Sequence, residues 1–278
     1  MCRMPEGDTL EIVARRLAPL VDVPLEVEAP HPRFARDRIP ERLADARIEH
    51  VEARGKHLLI RFGNGLTLHS HLRMTGRWDV HRRGGRWSRA PYRAWVVLRT
   101  AAHEAVQFDG PVLELLTDAQ VAMHPALRRL GDDLIDADLD VDQAVRALRA
   151  AHPATTAGEA LLDQRLVAGI GNVWKAEALW ACRVNPWAPL GRLDDATLRR
   201  LVTFASQGMR HQSDLLEGRR PRAVYGRDGR PCGRCGTRIV ERLQGDDGRR
   251  TFWCPTCQPG AAPASPPARA PGAAPPRR

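Results

Sequence analysis

Cys232, Cys235, Cys254 and Cys257 stand in the spacing C-x2-C-x18-C-x2-C near the end of the chain. Two tight turns that each present two thiolates can surround one zinc ion tetrahedrally and leave no position for water or substrate, so the predicted role is structural. Pro231-Cys232-Gly233-Arg234-Cys235-Gly236 and Cys254-Pro255-Thr256-Cys257 supply such turns. Two disulfides or four unrelated thiols are the alternative, but no signal peptide opens the chain to direct it to an oxidising compartment. A second motif with chemical content is Gly169-Ile170-Gly171-Asn172. Its glycines permit a sharp turn and the close approach of another backbone, and Asn172 opens a helix whose free amides would suit a phosphate. The same residues also serve as a plain stop and cap between packed helices. Lys and Arg outnumber Asp and Glu by 43 to 33, and the pI near 10.3 points to a polyanionic partner such as nucleic acid.

At 278 residues the chain is long enough for about two domains with cores of their own. Leu10, Val13, Leu17 and Leu20 fall at helical spacing, so residues 9–20 read as an amphipathic helix with Asp8 or Thr9 as N-cap. Short alternating runs follow at 25–27, 48–51, 57–62, 66–71, 77–80, 93–98 and 112–116, separated by Gly, Asn-Gly and Gly-Gly turns. They predict a β-sandwich or barrel. From about Asp118 the pattern turns helical, with segments at 141–151, 158–166, 172–182 and 195–216. The expected fold is therefore multidomain α+β: a β domain with a leading helix over 5–117, a helical domain over 118–222, a zinc ribbon over 223–258 and a disordered Pro/Ala/Gly/Arg tail over 259–278. No apolar run reaches the roughly 18 to 20 residues of a membrane span, which together with the missing signal peptide predicts a cytoplasmic protein without a membrane partner. Cys2 and Cys182 lie apart from the four, and Cys182 reads as a small buried thiol.

Four separated segments resemble one family. Met4-Pro5-Glu6-Gly7-Asp8-Thr9, Gly55-Lys56-His57, the turn Gly169-Ile170-Gly171-Asn172, and Val224-Tyr225-Gly226-Arg227 leading into the cysteines are together similar to the formamidopyrimidine-DNA glycosylase and endonuclease VIII family. The resemblance spans about residues 4 to 258 and implies an N-terminal β-sandwich, a helix-two-turn-helix domain and a zinc-finger hairpin carrying one structural Zn2+. It implies a bifunctional DNA glycosylase and abasic-site lyase of base excision repair, acting as a monomer on damaged double- or single-stranded DNA.

The family's nucleophile is an N-terminal proline amine, a role that falls to Pro5. An α-amine has a reference pKa of roughly 7.7 to 8.0, so an appreciable fraction is unprotonated near neutrality. Glu6 resembles the general acid that protonates the opening deoxyribose. Lys56 resembles the lysine that contacts phosphate and assists β-elimination, and Arg249 the hairpin arginine that promotes δ-elimination. Gly169, Gly171 and Asn172 are carried over as the phosphate-binding turn, and Arg129 as an interdomain DNA contact. Arg73 and Met74, in His71-Leu72-Arg73-Met74-Thr75-Gly76, resemble the loop that fills the gap left by a flipped base; core filling is the alternative for Met74. Met1-Cys2-Arg3-Met4 precede Pro5, and a peptide-bonded proline has no nucleophilic amine, so translation is expected to start at Met4 with the Met then removed. Thr9 and Phe108-Asp109-Gly110-Pro111 depart from the oxidised-purine enzymes, which favours oxidised pyrimidines such as thymine glycol, plus abasic sites. The alternatives are an oxidised-purine glycosylase and a noncatalytic zinc-ribbon DNA-binding protein. The last would have no use for an amine beside a carboxylate.

Overall fold

The computed structural model describes residues 5–32, 34, 37–215, 222–260 and 262. The expectations for Met1 to Met4 and for the tail past Gly260, Ala262 apart, lie outside the described residues. Helix α1 (Gly7–Leu17) buries Leu10, Val13 and Leu17 along one face. It starts two residues earlier than its spacing predicts, because Glu6 rather than Asp8 or Thr9 is its N-cap, and Thr9 Oγ1 accepts the Glu6 N–H at 3.3 Å. It stops at Leu17, where Pro19 enters the following turn.

Eight strands then form two antiparallel four-stranded sheets. Strands β1 (Glu26–Glu28), β6 (Ala94–Arg99), β7 (His103–Phe108) and β5 (Arg77–Arg82) lie in that order in one sheet. Strands β2 (Ile48–Arg54), β3 (His57–Phe62), β4 (Leu66–His71) and β8 (Val112–Thr117) lie in that order in the other. Leu58, Ile60, Phe62, Leu68, Leu113 and Leu115 meet Trp78, Val96 and Leu98 in the sandwich core, which α1 completes. Strand β7 escapes a reading by hydrophobic alternation because a buried polar residue stands on each of its faces, Gln107 on the core side with Ala105 and Glu104 on the opposite side with Val106 and Phe108. Glu104 and Gln107 are both buried; Glu104 accepts from Trp87 Nε1 at 2.6 Å and pairs with Arg99, and Gln107 Nε2 donates to Ser70 Oγ at 2.7 Å. Side chains alternate across a strand, so His57, Leu59, His69 and Glu114 face away from that core. There Leu59 packs on Val121 and Leu127 of the linker.

Helix α2, a single turn in the β1–β2 connection (Ile39–Arg42), packs Ile39 into the sandwich core, and the linker after the sandwich begins with α3 (Asp118–Met123), capped reciprocally by Thr117 and Gln120. Short strand β9 (Asp132–Asp133) pairs in parallel with β10 (Val167–Ala168), tying the linker to the helical domain. That domain contains α4 (Val141–Ala150), α5 (Ala157–Ala160), α6 (Asn172–Ala181) and α7 (Asp195–Asp214), packed around Leu148, Ile170, Trp174, Leu179, Leu198, Leu201 and Met209. Asp140 and Asp194 cap α4 and α7 through side-chain bonds to backbone amides. The helix expected over 158–166 is only one turn, α5. Asp163 turns back to the Arg165 N–H at 3.0 Å, Gln164 Oε1 accepts from Gly169 at 3.1 Å, and the Gln164 carbonyl accepts from Gly131 at 2.9 Å, so the segment becomes a loop feeding β10. Strands β11 (Val240–Gln244) and β12 (Arg249–Trp253) form the terminal hairpin. Among the described residues no helix is long and apolar enough to cross a membrane.

Candidate active site

The chain enters α1 pressed against the start of α6. The Gly7 N–H donates to the Gly169 carbonyl at 2.8 Å, and Glu6, only 1% exposed, accepts from the Val173 and Trp174 amides at 2.8 and 3.2 Å. Trp174 Nε1 donates to Asp8 Oδ2 at 3.1 Å. A carboxylate seated on a helix N-terminus satisfies orphan amides and is favoured by the helix dipole. This corrects one expectation from sequence: the amides of α6 that seemed available to a phosphate are occupied by Glu6. The glycines around this contact have identifiable reasons. A Cβ on Gly171 would lie 2.4 Å from Glu6 Cδ, and one on Gly7 would lie 3.0 Å from Gly169 Cα.

Lys56 follows Gly55, which adopts φ +60° in the β2–β3 turn and donates its N–H to Asp133 Oδ2 at 2.6 Å. That bond fixes the turn against the linker strand. Burial lowers Lys56 to a pKa of about 8; Glu6 opposes the shift and Arg249 reinforces it. A second buried cation, Lys175 of α6, went unnoticed in the sequence. Its Nζ donates to Thr251 Oγ1 of β12 at 2.7 Å, and burial, aided by Arg249 and opposed by Glu6, lowers it to about 7. The signal was there: Lys175 interrupts the apolar run Val173, Trp174, Ala176, Ala178, Leu179.

Pro5, Glu6, Lys56, Lys175, Arg249, Gly171 and Asn172 line one cleft of about 600 Å³, with Arg73 and Met74 on its sheet side and Glu159 and Leu162 on its helical side. Met74 is 51% exposed, which removes the core-filling alternative, and Arg73 beside it holds φ +44°. Asn172 donates through Nδ2 to the Arg250 carbonyl at 2.6 Å, joining α6 to the hairpin. Arg249 has a half-exposed side chain 3.6 Å from Asp247, whereas Arg250 is held by Glu241 on the neighbouring strand. Two carried-over residues stand elsewhere. Gly169, at φ +88°, spends its carbonyl on Gly7, and exposed Arg129 lines a neighbouring cavity that shares His71, Arg73 and Gln164 with the cleft.

In the terminal hairpin the four cysteine sulfurs all lie within 4.8 Å of one another. Cys235 and Cys254 are 3.4 Å apart, Cys235 and Cys257 3.5 Å, and Cys232 and Cys257 3.9 Å. Sulfurs bonded to a common ion at about 2.3 Å would stand about 3.8 Å apart in a tetrahedron, and disulfide sulfurs about 2.05 Å apart. The cluster is thus suited to hold a metal ion. Trp180 Nε1 donates to Cys232 Sγ at 3.4 Å and anchors the hairpin on α6.

Lys175 makes stability depend on pH. Its folded pKa is about 7 against an ordinary 10.5, so between those values the unfolded chain binds a proton that the folded chain lacks. Stability therefore rises with pH across that window, by at most about 1.4 kcal/mol per pH unit. Lys175→Met is expected to flatten that rise in urea unfolding at pH 7.5 and 9.5, leaving the smaller part due to Lys56; an unaltered slope would mean that Lys175 keeps its charge.

The formamidopyrimidine-DNA glycosylase N-terminal domain matches residues 4–130, and the formamidopyrimidine-DNA glycosylase H2TH domain matches residues 130–213. A protein of Streptomyces coelicolor named probable endonuclease 8 2 is 43% identical over 94% of this chain and 96% of its own length. A DNA-(apurinic or apyrimidinic site) lyase Nei2 of Mycolicibacterium smegmatis is 36% identical over 92% of this chain and 99% of its own. Among solved structures, the formamidopyrimidine-DNA glycosylase of Lactococcus lactis, bound noncovalently to DNA containing an abasic site, superposes with a TM-score of 0.79 at 25% identity, covering 92% of this chain and all of that one.

Proposed function

The chain belongs to the formamidopyrimidine-DNA glycosylase family, and from that premise we propose that Pro5, freed of what precedes it, is the nucleophile of its cleft. The protein is a DNA glycosylase and abasic-site lyase of base excision repair. One observation carries the assignment of residues: Pro5, Glu6, Lys56 and Arg249, far apart in sequence, line the same cleft. The family match begins at residue 4, immediately before Pro5, which supports maturation there.

In the reaction we infer, the Pro5 amine attacks C1′ of a flipped nucleotide, the damaged base departs and a Schiff base joins protein to sugar. Glu6, fixed by two amides of α6, handles the proton of the opening sugar. Lys56 meets a phosphate and assists β-elimination, while half-exposed Arg249 neutralises the phosphate that leaves in the δ step. Met74 and Arg73 supply the wedge. Asn172 bridges α6 and the hairpin, and Gly171 leaves room for Glu6. Zinc is the ion we assign to the four sulfurs, since soft thiolates in a closed tetrahedral set select it; bound there it would contribute to folding of the hairpin. Damaged DNA is the partner, and one copy of the chain lines the whole cleft.

Oxidised pyrimidines are the substrates we favour. The turn between β7 and β8 is short, and Asp109 within it is tied to Arg89 and Arg93 rather than reaching the cleft, so no long loop covers a purine there. Borohydride trapping on duplexes carrying thymine glycol or 8-oxoguanine tests this: faster trapping on thymine glycol is expected, and a preference for 8-oxoguanine would reverse the assignment. Arg249→Ala is expected to slow the δ step by about 10²-fold while base release changes little. Product analysis on a denaturing gel separates the β and δ products, and equal loss of both activities would deny Arg249 its special place.

A further inference from the structure

We propose that His69, Glu114 and His124 form a second metal site, outside the catalytic cleft, for a divalent ion of the zinc, cobalt and nickel class. His69 Nδ1 and His124 Nε2 converge on the same carboxylate oxygen, Glu114 Oε2, at 2.9 and 3.3 Å. The three donor atoms lie within 4.8 Å of one another. An ion held by nitrogen and oxygen at about 2.0 to 2.2 Å sets its donors about 3 to 3.5 Å apart, so the His124–Glu114 separation already suits a shared ion and the His69–Glu114 separation has to open only slightly. Two imidazoles and one carboxylate favour this class over magnesium or calcium, which take all-oxygen sets.

The scaffold holds these donors in place. His69 and Glu114 are direct register partners on β4 and β8, and His124 ends α3 with its N–H on the Val121 carbonyl at 3.2 Å. Behind His69, its Nε2 lies 2.8 Å from His57 Nδ1. With Nδ1 on an ion, Nε2 carries the ring proton and donates it to His57, the outer-shell arrangement that orients metal-bound histidines. His69 is buried at the base of a cavity of about 600 Å³ that Glu114 and His124 also line and whose rim includes Pro125, Arg129 and Arg165. A three-donor set with one open side leaves a position for water or another oxygen ligand from that cavity. The ion would also tie the linker after α3 to the sheet beside Arg73.

The same distances would equally suit two ring N–H groups donating to one carboxylate, and metal counting separates the two arrangements. The full-length chain, stripped of metal and reloaded with Zn2+ alone, is passed through a desalting column and its zinc measured per chain by mass spectrometry. Two equivalents are expected. His124→Ala and Glu114→Gln, both at the cavity edge, should each fall to one, while Cys254→Ser should keep the histidine-bound equivalent. Loading with Co2+ identifies which site remains: the thiolate-to-cobalt absorption should persist in His124→Ala and Glu114→Gln at wild-type intensity. A single equivalent in the wild type, or a second equivalent that survives both His124→Ala and Glu114→Gln, would overturn the proposal.

Discussion

Protein that keeps Met1 to Met4 ahead of Pro5 is expected to bind damaged duplex with little loss of affinity and to give no borohydride-trapped adduct, with strand cleavage reduced about 10³-fold or more. In a peptide bond the proline nitrogen donates its lone pair to the carbonyl and cannot attack a sugar carbon. The rest of the cleft does not depend on that end: Glu6 is held by α6, Gly55 beside Lys56 is held by Asp133, and Arg249 projects from β12. Binding and chemistry should therefore separate. The comparison is between protein beginning at Pro5, verified by intact mass, and protein whose start at Met1 is enforced by replacing Met4 with Leu. Equal trapping by the two forms would remove Pro5 as nucleophile and require another amine, for which Lys56 and Lys175 are the candidates in the cleft.

Gly171→Ala should come next in size, lowering base release by about 10²-fold with a modest change in DNA affinity, and costing about 1 to 3 kcal/mol of stability. Gly171 has φ −121° and ψ −165°, an extended conformation open to any residue, so no backbone strain enters. What remains is collision. The added methyl would stand 2.4 to 2.6 Å from Glu6 Cδ, Cγ and Oε1, and the carboxylate must leave the Val173 and Trp174 amides or the two lobes must part. Gly233→Ala is a suitable control, because a Cβ there meets nothing within 4 Å. Single-turnover rates and urea midpoints measure both effects. Wild-type turnover in Gly171→Ala would show that the seat of Glu6 is dispensable.

The parts legible in the sequence were those carried by local pattern. The cysteine spacing, the apolar face of α1 and the alternation in β3, β4 and β8 depend on neighbours a few residues away, and each has its counterpart in the structure. What escaped depends on partners distant in the chain. Strand β7 places Gln107 inward only because Ser70 on another sheet receives it. The segment after α5 abandons its helix for bonds to Gly131 and Gly169. Lys175 is tolerable inside α6 because Thr251 meets it, 76 residues away in sequence. The α6 amides looked vacant for the same reason, since their occupant, Glu6, is separated from Val173 by 167 residues.

Glu6 and Gly7 fasten the start of the chain to the far lobe, not to the sandwich that α1 otherwise completes. A hinge between sandwich and helices consequently cannot run between Glu6-Gly7 and the Gly-Ile-Gly-Asn turn; in any movement of one lobe against the other the two must travel together. Chimeras that splice one relative's first half to another's second half would inherit mismatched halves of this joint, so the first residues and the start of α6 are expected to be exchangeable only as a set.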